Sequence, residues 1–379
     1  MPLSGNKGEW SEVYALLRML ADGRVYEADG NGEKTDKFYS ILCILVREGG
    51  RTIEYGLDEE ENRTVDGEAL IDATSKKISE EAEYLFHRIC EGANKKGAFG
   101  VERTEAFLKK LHRSGLKAPS GDKSDVRLKV HDPYTGKDLT LGFGIKSMVG
   151  NPPTHVNASG STNFLFRTDG DVKQEWIDGS KKEEGGKEKS KVGQLCRDMH
   201  GAGVAFRLLG ADNHNMQENL ILLDDGLPEI VGEMLKLHYC EGISDIEKQI
   251  SVLAERNPRR YPGCRPYYEL KIKKMLSAYA LGMNSAKPWD GKEDANGGYI
   301  IVNRDNSVVC YSTHNRNDFE DYLVKHTKLE TPSTGRHGFG EITKRCDGTN
   351  TIKLNLQIRL RNGSDANIVP EPRRRQTTL

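Results

Sequence analysis

The sequence has few of the features that mark several large protein classes. Its seven cysteines are scattered and odd in number, which disfavours a disulfide framework and a structural zinc site. Its longest apolar run, Ile41 to Val46, is too short to span a membrane, and no signal-peptide pattern precedes it. No Gly-x-x-x-x-Gly-Lys-Ser/Thr phosphate loop is present, so a nucleotide cofactor is not indicated. We expect a cytoplasmic protein without a membrane segment.

The chain also lacks an excess of charge of either sign. Its 379 residues include 56 Lys and Arg against 57 Asp and Glu, which gives a net charge of −1. No global positive field is available to attract nucleic acid, so any DNA-binding surface must be local. A chain of this length can bury a sizeable core and form two or three substructures.

The most informative pattern that is present is a β-hairpin between Ser124 and Ser147. Apolar and polar residues alternate in two runs, so each run predicts a strand with one apolar and one polar face. Residues 132–136 join the runs with proline and glycine, which favour a turn. The resulting register places Asp125 opposite Gly144, with Lys146 one diagonal step away on the same face.

An aspartate and a lysine on one face suit metal-assisted cleavage of a phosphodiester. The carboxylate can hold a divalent cation, and the ammonium can orient the attacking water and offset charge on the phosphate. The segment resembles the PD-(D/E)xK nuclease pattern, but its triplet is Gly144-Ile145-Lys146, so the second acid is missing. The alternative is a solvated edge hairpin. Gly142 and Gly144 argue against it, because strand glycines often mark a close approach by another backbone or a ligand.

The N-terminal segment offers the missing acid. Residues 8–21 have the periodicity of an amphipathic helix that ends at Gly23. Glu9 falls on the apolar stripe of this helix and Glu12 lies beside it. A carboxylate facing a core is costly unless it is paired or binds a cation, so we expect Glu9 to be a metal ligand and hold Glu12 in reserve. The alternative is that Glu9 only stabilises the positive helix N-terminus.

The remaining patterns predict an α/β fold with a mixed sheet flanked by helices, of the PD-(D/E)xK restriction-endonuclease type, and with further helical and β elements. A charged low-complexity stretch at residues 178–191 has no hydrophobic anchor, which is typical of a linker or exposed loop. We predict a nuclease core, a charged linker, a mainly helical region, a β-rich region with a DNA-recognition loop, and a disordered basic tail. Their respective bounds are residues 1–168, 169–192, 193–296, 297–361 and 362–379.

Several blocks along the chain, in one order, resemble the HpaII family of type II restriction endonucleases. These blocks are residues 5–12, residues 141–147 followed by 157–164, and residues 336–341 followed by 352–359. The resemblance implies Mg²⁺-dependent, site-specific cleavage of double-stranded DNA, with CCGG as the target. Asp125, Glu9 and the backbone carbonyl of Ile145 would then hold the metal, while Lys146 would orient the water.

Sequence-specific recognition requires hydrogen-bonding groups on ordered loops. Arg336 and His337 lie in a glycine-rich segment that can approach DNA closely, and residues 150–163 follow Lys146 directly and should overhang the scissile phosphate. Local turn capping or a solvated turn is the alternative for these side chains. The residues that we expect to contact DNA are Ser147, Asn157, Ser159, Ser161, Asn163, Arg336, His337 and Gln357.

The sequence therefore predicts a nuclease that cuts both strands of a short palindrome. A two-fold homodimer or two sequential cuts by a monomer would fit such a target, and the sequence does not choose between them. One alternative is the same core with another target, such as a repair or modification-dependent nuclease. The other is a DNA-binding module whose missing triplet acid reflects lost chemistry.

Overall fold

A computed structural model describes most of the chain. The described residues are 2–30, 32–57, 63–70, 73–92, 97–116, 124–132, 135–181, 191–333 and 337–361. Arg336, residues 182–190 of the predicted linker and the predicted basic tail lie outside them. Among the described helices, none is both long and apolar enough to cross a membrane.

The helices agree with the main periodic patterns of the sequence. They are α1 (Lys7–Asp22), α2 (Ser75–Gly92), α3 (Glu102–Lys110), α4 (Gln174–Ser180), α5 (Val192–Gly201), α6 (His214–Leu223), α7 (Leu227–Glu241), α8 (Ile246–Arg256), α9 (Arg265–Leu281) and α10 (Arg316–Lys325). The predicted N-terminal helix is confirmed as α1, which begins after a capping box at Asn6 and ends at Gly23 in the left-handed conformation. Part of the predicted linker is helical, since α4 lies within it.

The strands form three sheets. They are β1 (Arg24–Ala28), β2 (Lys34–Glu48), β3 (Arg51–Leu57), β4 (Arg63–Val65), β5 (Glu68–Ala69), β6 (Val126–Asp132), β7 (Lys137–Ser147), β8 (Thr154–Val156), β9 (Asn163–Asp169), β10 (Ala205–Ala211), β11 (Gly298–Val302), β12 (Val308–Ser312), β13 (Thr327–Leu329), β14 (Ile342–Lys344), β15 (Asn350–Asn355) and β16 (Ile358–Leu360). The predicted hairpin is confirmed as the antiparallel pair β6 and β7.

The largest sheet has nine strands in the order β1-β12-β11-β7-β6-β2-β3-β4-β5. Because β1 also pairs with β2, six of these strands form a closed ring. The long strand β2 makes this possible: its first half pairs with β1 and its second half with β3, and its pairings with β1 and β6 each contain a register shift. The mixed α/β class is thus confirmed, and the largest sheet is partly closed.

Two smaller sheets hold the remaining strands, in the orders β10-β9-β15-β14 and β13-β16-β8. Residues 350–360 form two strands, β15 and β16, because the chain changes partners at Leu356 and Gln357. The Leu356 amide donates to Thr162, and the Gln357 carbonyl accepts from Glu330. The predicted β-rich region, residues 297–361, therefore contributes strands to all three sheets and does not form one sheet of its own.

The protein has two hydrophobic clusters, each of which defines one region of the molecule. In the first region, α1 and α2 pack against the strands of the large sheet. In the second region, α7, α8 and α9 pack with the two smaller sheets. Strand β11 lies between them and is buried on both faces: Ile300 and Val302 belong to the first cluster, and Tyr299 and Ile301 to the second.

Candidate active site

The β6–β7 hairpin positions Asp125 as the sequence predicted. Val126 pairs with Phe143, and the Asp125 amide donates to the Phe143 carbonyl at 2.9 Å, which places Asp125 opposite Gly144. The Asp125 carboxylate accepts a hydrogen bond of 2.6 Å from the amide of Ile145. A buried strand fixes this amide, so the carboxylate is held in one orientation at the edge of the predicted triplet.

Lys146 lies on the same face, above the ring of Tyr299. Strand β11 runs parallel to β7 and pairs Tyr299 with Gly144 and Ile301 with Lys146. The Lys146 ammonium is 5.2 Å from the centre of the Tyr299 ring, within the range of a cation–π contact. The tyrosine ring thus provides the surface on which the lysine side chain rests.

The same tyrosine explains the missing acid of the triplet. A Cβ atom at Gly144 would lie 3.2 and 3.3 Å from two carbons of the Tyr299 ring and 3.9 Å from Oδ2 of Asp125. The ring therefore fills the space into which a carboxylate at this position would extend. Gly142 is equally constrained, because a Cβ there would meet the Asp294 carbonyl at 2.5 Å. The predicted close approach at these glycines is confirmed.

Glu12 is the second acid that the fold brings near Asp125 and Lys146. Burial, and then the charge of Asp125, raise the pKa of Glu12 to about 8, while the charges of Arg113 and Lys146 act in the opposite direction. Two carboxylates in one partly buried place repel each other, and a cation between them removes that cost. The arrangement brings two acids and one lysine close enough for their charges to interact.

Glu9, which the sequence ranked ahead of Glu12, has a different position. Its carboxylate accepts hydrogen bonds of 2.8 Å from both the amide and the side-chain nitrogen of Asn6, which closes the capping box of α1. The first amides of a helix have no intrahelical partner, and this contact satisfies the one at the N-cap. Glu9 still lies near enough to Glu12 for its charge to contribute to the raised pKa. The geometry therefore favours Glu12 over Glu9 as the partner of Asp125.

Sequence reasoning missed two residues beneath Lys146. His155 places Nε2 3.0 Å from the carbonyl of Leu276 and Nδ1 3.0 Å from the hydroxyl of Tyr299. A carbonyl only accepts, so Nε2 carries the proton and Nδ1 accepts from the tyrosine. Burial, assisted by the charge of Lys146, lowers the pKa of His155 to about 3, so the imidazole is neutral. No local pattern could have shown this, because β8 and β11 are far apart in the sequence.

The donor set fits a small divalent cation. Among the described residues, no group of three or more His, Cys, Asp or Glu side chains is arranged to hold a metal. Asp125 and Glu12 offer two carboxylates, and Mg²⁺ is commonly held by one or two carboxylates while it keeps several waters. A zinc site would instead require three or four nitrogen, sulfur or oxygen side-chain ligands.

Three of the predicted DNA contacts converge on one open cleft of about 640 Å³. Asn157, His337 and Gln357 line it, together with Glu330 and Arg359. Gln357 is only 7 % exposed, and its Oε1 has no hydrogen-bond partner among the described residues. Buried polar atoms are nearly always bonded, so this oxygen is suited to accept from a ligand in the cleft.

The other predicted DNA contacts are engaged within the protein. Ser147 is buried and accepts hydrogen bonds from Ser11 at 2.9 Å and from the Val149 amide at 3.3 Å. Asn163 is buried as well, and its side chain donates to the His337 carbonyl at 2.7 Å, so it supports the loop that carries His337. These placements favour structural roles for Ser147 and Asn163.

Ser159 and Ser161 hydrogen bond to each other at 2.7 Å. Both are partly exposed beside the cleft residue Asn157, so they remain near the surface that DNA would meet.

The chain is similar to known proteins over nearly its whole length. The family model described as HpaII restriction endonuclease matches residues 6–360. A curated relative, the type II restriction enzyme HpaII of Haemophilus parainfluenzae, is 38 % identical over 361 residues, which is 94 % of this chain and 98 % of the relative. No solved structure matches. The matched range contains Glu12, Asp125, Lys146, Tyr299 and the residues of the cleft.

Proposed function

This chain belongs to the HpaII family of type II restriction endonucleases, and we propose that it hydrolyses CCGG sites in double-stranded DNA with Mg²⁺. Membership of the family makes the protein a site-specific endonuclease. The CCGG target is what the family resemblance implies. We propose that it acts in the cytoplasm, where it would meet the DNA that it cuts.

The proximity of Asp125, Glu12 and Lys146, whose charges interact, carries the proposal. Asp125 and Glu12, with the carbonyl of Ile145, would hold the Mg²⁺, and Glu9 is the reserve carboxylate. When bound, the metal supplies a more acidic water and positive charge near the phosphate. The raised pKa of Glu12 supports this assignment, because a nearby cation would favour the ionised carboxylate that the protein alone disfavours.

Lys146 orients the attacking water and stabilises charge on the phosphorane-like transition state. The Ile145 amide keeps the Asp125 carboxylate in place, at 2.6 Å. Tyr299 and His155 act as positioning residues, since the ring lies under Lys146 and the neutral imidazole holds the ring. A catalytic group held within a fraction of an ångström loses little entropy when it reacts.

Recognition is proposed to take place in the cleft of Asn157, His337 and Gln357. The buried Oε1 of Gln357 suits the amino group of cytosine, which donates in the major groove. Arg336, which lies outside the described residues, is proposed to read a guanine. Ser159, with Ser161, is proposed to contact a phosphate.

A PD-(D/E)xK-type core is proposed for the first region. Strands β2, β6 and β7 are antiparallel neighbours, β11 follows in parallel, and α1 packs against the hairpin. We also propose a two-fold homodimer on the palindromic site, with sequential cutting by a monomer as the alternative.

The test is a digest of unmethylated DNA of known sequence with Mg²⁺, with every end mapped by sequencing. Lys146→Ala and an EDTA control accompany the wild type. Discrete ends at CCGG that vanish in both controls support the proposal. Discrete ends at another sequence would indicate the same core with another target. Uncut DNA that is still bound specifically would indicate a binding module.

A further inference from the structure

Three cations surround the loop that follows the catalytic strand. This loop, residues 148–153, joins β7 to β8. Lys7 Nζ, Arg304 Nε and Arg359 Nη1 each donate to a main-chain carbonyl of the loop, at 2.8, 3.1 and 2.9 Å. They come from α1, from the turn after β11 and from β16, so three distant segments converge on one short stretch of backbone.

The negative charge near these cations is insufficient to balance them. Arg359 pairs with Glu330, but Lys7 and Arg304 form no ion pair with any residue that the structure describes. The nearest acid in sequence, Asp305, accepts hydrogen bonds from Ser307 instead. Burial, and then the charges of Arg304 and Arg359, lower the pKa of Lys7, which shows that the cations are crowded together. Like charges held this closely are costly unless an anion joins them.

The cluster lies between the candidate active site and the cleft. Lys7 begins α1, five positions before Glu12, a rise of about 7.5 Å along the helix axis. The 2.9 Å hydrogen bond between Ser11 and Ser147 fixes this end of α1 to the end of β7. Arg359 lines the cleft itself. A DNA strand that passes from the hairpin to the cleft would therefore cross the three cations.

We propose that Lys7 and Arg304, with Arg359 at the edge, form a clamp for a backbone phosphate of the DNA strand that leads from the scissile bond to the cleft. This inference rests on the proposed function, because the phosphate belongs to the DNA substrate. The loop carbonyls use one donor of Lys7 and two nitrogens of Arg304, which leaves further donors for a phosphate. Such contacts fix the position of a duplex without reading its sequence.

The experiment measures equilibrium binding of a CCGG duplex as a function of salt, in a Lys146→Ala background that prevents cleavage. Lys7→Ala and Arg304→Ala are tested singly and together. Lys248→Ala, an exposed lysine of α8 in the second region, is the matched control. Loss of one neutralised phosphate should reduce the slope of log affinity against log salt by about 0.9, so the double variant should lose about 0.9 and each single variant less. The control should keep the full slope.

A second measurement distinguishes a phosphate clamp from cations that only stabilise the loop. Arg304→Lys keeps the charge but loses the two-nitrogen contact with the loop, so it should retain most of the salt slope that Arg304→Ala loses. A duplex with one neutral methylphosphonate next to the scissile bond should bind the Lys146→Ala protein more weakly than the unmodified duplex does. The double variant should bind the two duplexes with equal affinity, since its contact with that phosphate is already absent.

Unchanged salt slopes in all variants, together with lowered thermal stability, would overturn the clamp. The cations would then serve only to stabilise the loop. That result would not affect the proposed function if the wild type still cuts DNA at discrete sites. A wild type that neither cuts nor binds DNA would instead refute the proposed function itself.

Discussion

The two regions of the molecule bury ionisable groups in opposite ways. In the second region, His155 and His238 are buried and neutral, because burial lowers their pKa values to about 3 and about 4. Both are fully bonded within the protein: His238 contacts the hydroxyls of Ser244 and Thr331, each at 2.9 Å. These groups need nothing from outside.

The first region is incomplete by comparison. Burial raises the pKa of Glu12 to about 8 next to Asp125, so the protein alone favours the protonated acid where metal-dependent chemistry needs the carboxylate. The two histidines of the second region are thus satisfied within the protein, whereas we propose that Glu12 in the first region reaches its ionised state with a bound cation. Variants of the acids and the lysine in the first region should therefore affect catalysis, and variants of the two histidines in the second region should affect stability.

The largest effect is expected from the lysine of the first region. Lys146→Ala should reduce the rate of cleavage by about 10³-fold or more, because it removes the group that we propose orients the water and stabilises the transition state. Lys137, exposed at the other end of β7, is the matched control, and Lys137→Ala should cut at the wild-type rate. Single-turnover cleavage of a CCGG duplex measures both. A Lys146→Ala enzyme within tenfold of wild type would remove the lysine from the mechanism.

The second-largest expected effect is a loss of stability at low pH, caused by the two histidines of the second region. The two histidines have lower pKa values in the folded state than their usual value of about 6.5, so the unfolded chain binds more protons below that pH. Stability from these groups is therefore complete above pH 6.5 and falls as the pH approaches 4 and then 3. Between pH 7 and 5 we expect a loss of roughly 3 kcal/mol in the free energy of unfolding.

Tryptophan fluorescence can follow the second region separately. Trp176 and Trp289 lie there, whereas Trp10 is buried in the first region, so a Trp10→Phe variant reports on the second region during urea unfolding. His238→Gln should flatten the acid dependence, and a substitution of the exposed His214 should not. Equal slopes in all three proteins would show that these histidines do not set the acid stability.

Glu12 and Glu9 offer a comparison within the first region. Glu12→Gln should reduce cleavage by about 10²-fold, because it removes a proposed metal ligand. Glu9→Gln should keep cleavage within a few-fold of wild type and cost about 1 kcal/mol of stability through the weakened cap. Cleavage rates at saturating Mg²⁺ and urea unfolding of both variants test this pair. A reversed order of cleavage rates would restore Glu9 as the ligand.

Glu12→Gln should make the metal-free protein more stable, although it lowers the rate of cleavage. The folded pKa of Glu12 is raised, so its stabilising effect is present below the unfolded pKa of about 4.5 and is lost as the pH rises towards 8. In EDTA at pH 8, Glu12→Gln should therefore be more stable than the wild type. With Mg²⁺ present the wild type should recover, and the variant should not respond. A wild type that is indifferent to Mg²⁺ would contradict the assignment.

The smallest effect is expected where the two regions meet. Tyr299→Leu should slow cleavage about tenfold, because Lys146 loses the ring on which it rests. Tyr299→Phe keeps the ring and should cut faster than Tyr299→Leu, although it leaves Nδ1 of His155 without its donor. Separate measurement of kcat and KM distinguishes a positioning role from a structural one, since loss of positioning lowers kcat and leaves KM unchanged. Equal kcat values for both variants would assign Tyr299 to the scaffold alone.

The sequence by itself determined the parts that depend on local spacing. Alternation and turn residues predicted the β6–β7 hairpin and the position of Asp125 opposite Gly144, and capping residues predicted where α1 ends. The ordered blocks along the chain indicated the family to which it belongs. These features follow from the periods of strands and helices, which are written into neighbouring residues.

Only the tertiary structure decided which distant groups meet. Tyr299 takes the place of the triplet acid because β11 pairs with β7 in parallel, and no local pattern encodes such a pairing. The choice of Glu12 over Glu9 depended on the use of Glu9 in the helix cap, and the cleft at Gln357 depended on a change of strand partner. The physical reason is the same throughout: periodicity fixes which face a side chain takes, but packing between remote segments fixes what it touches.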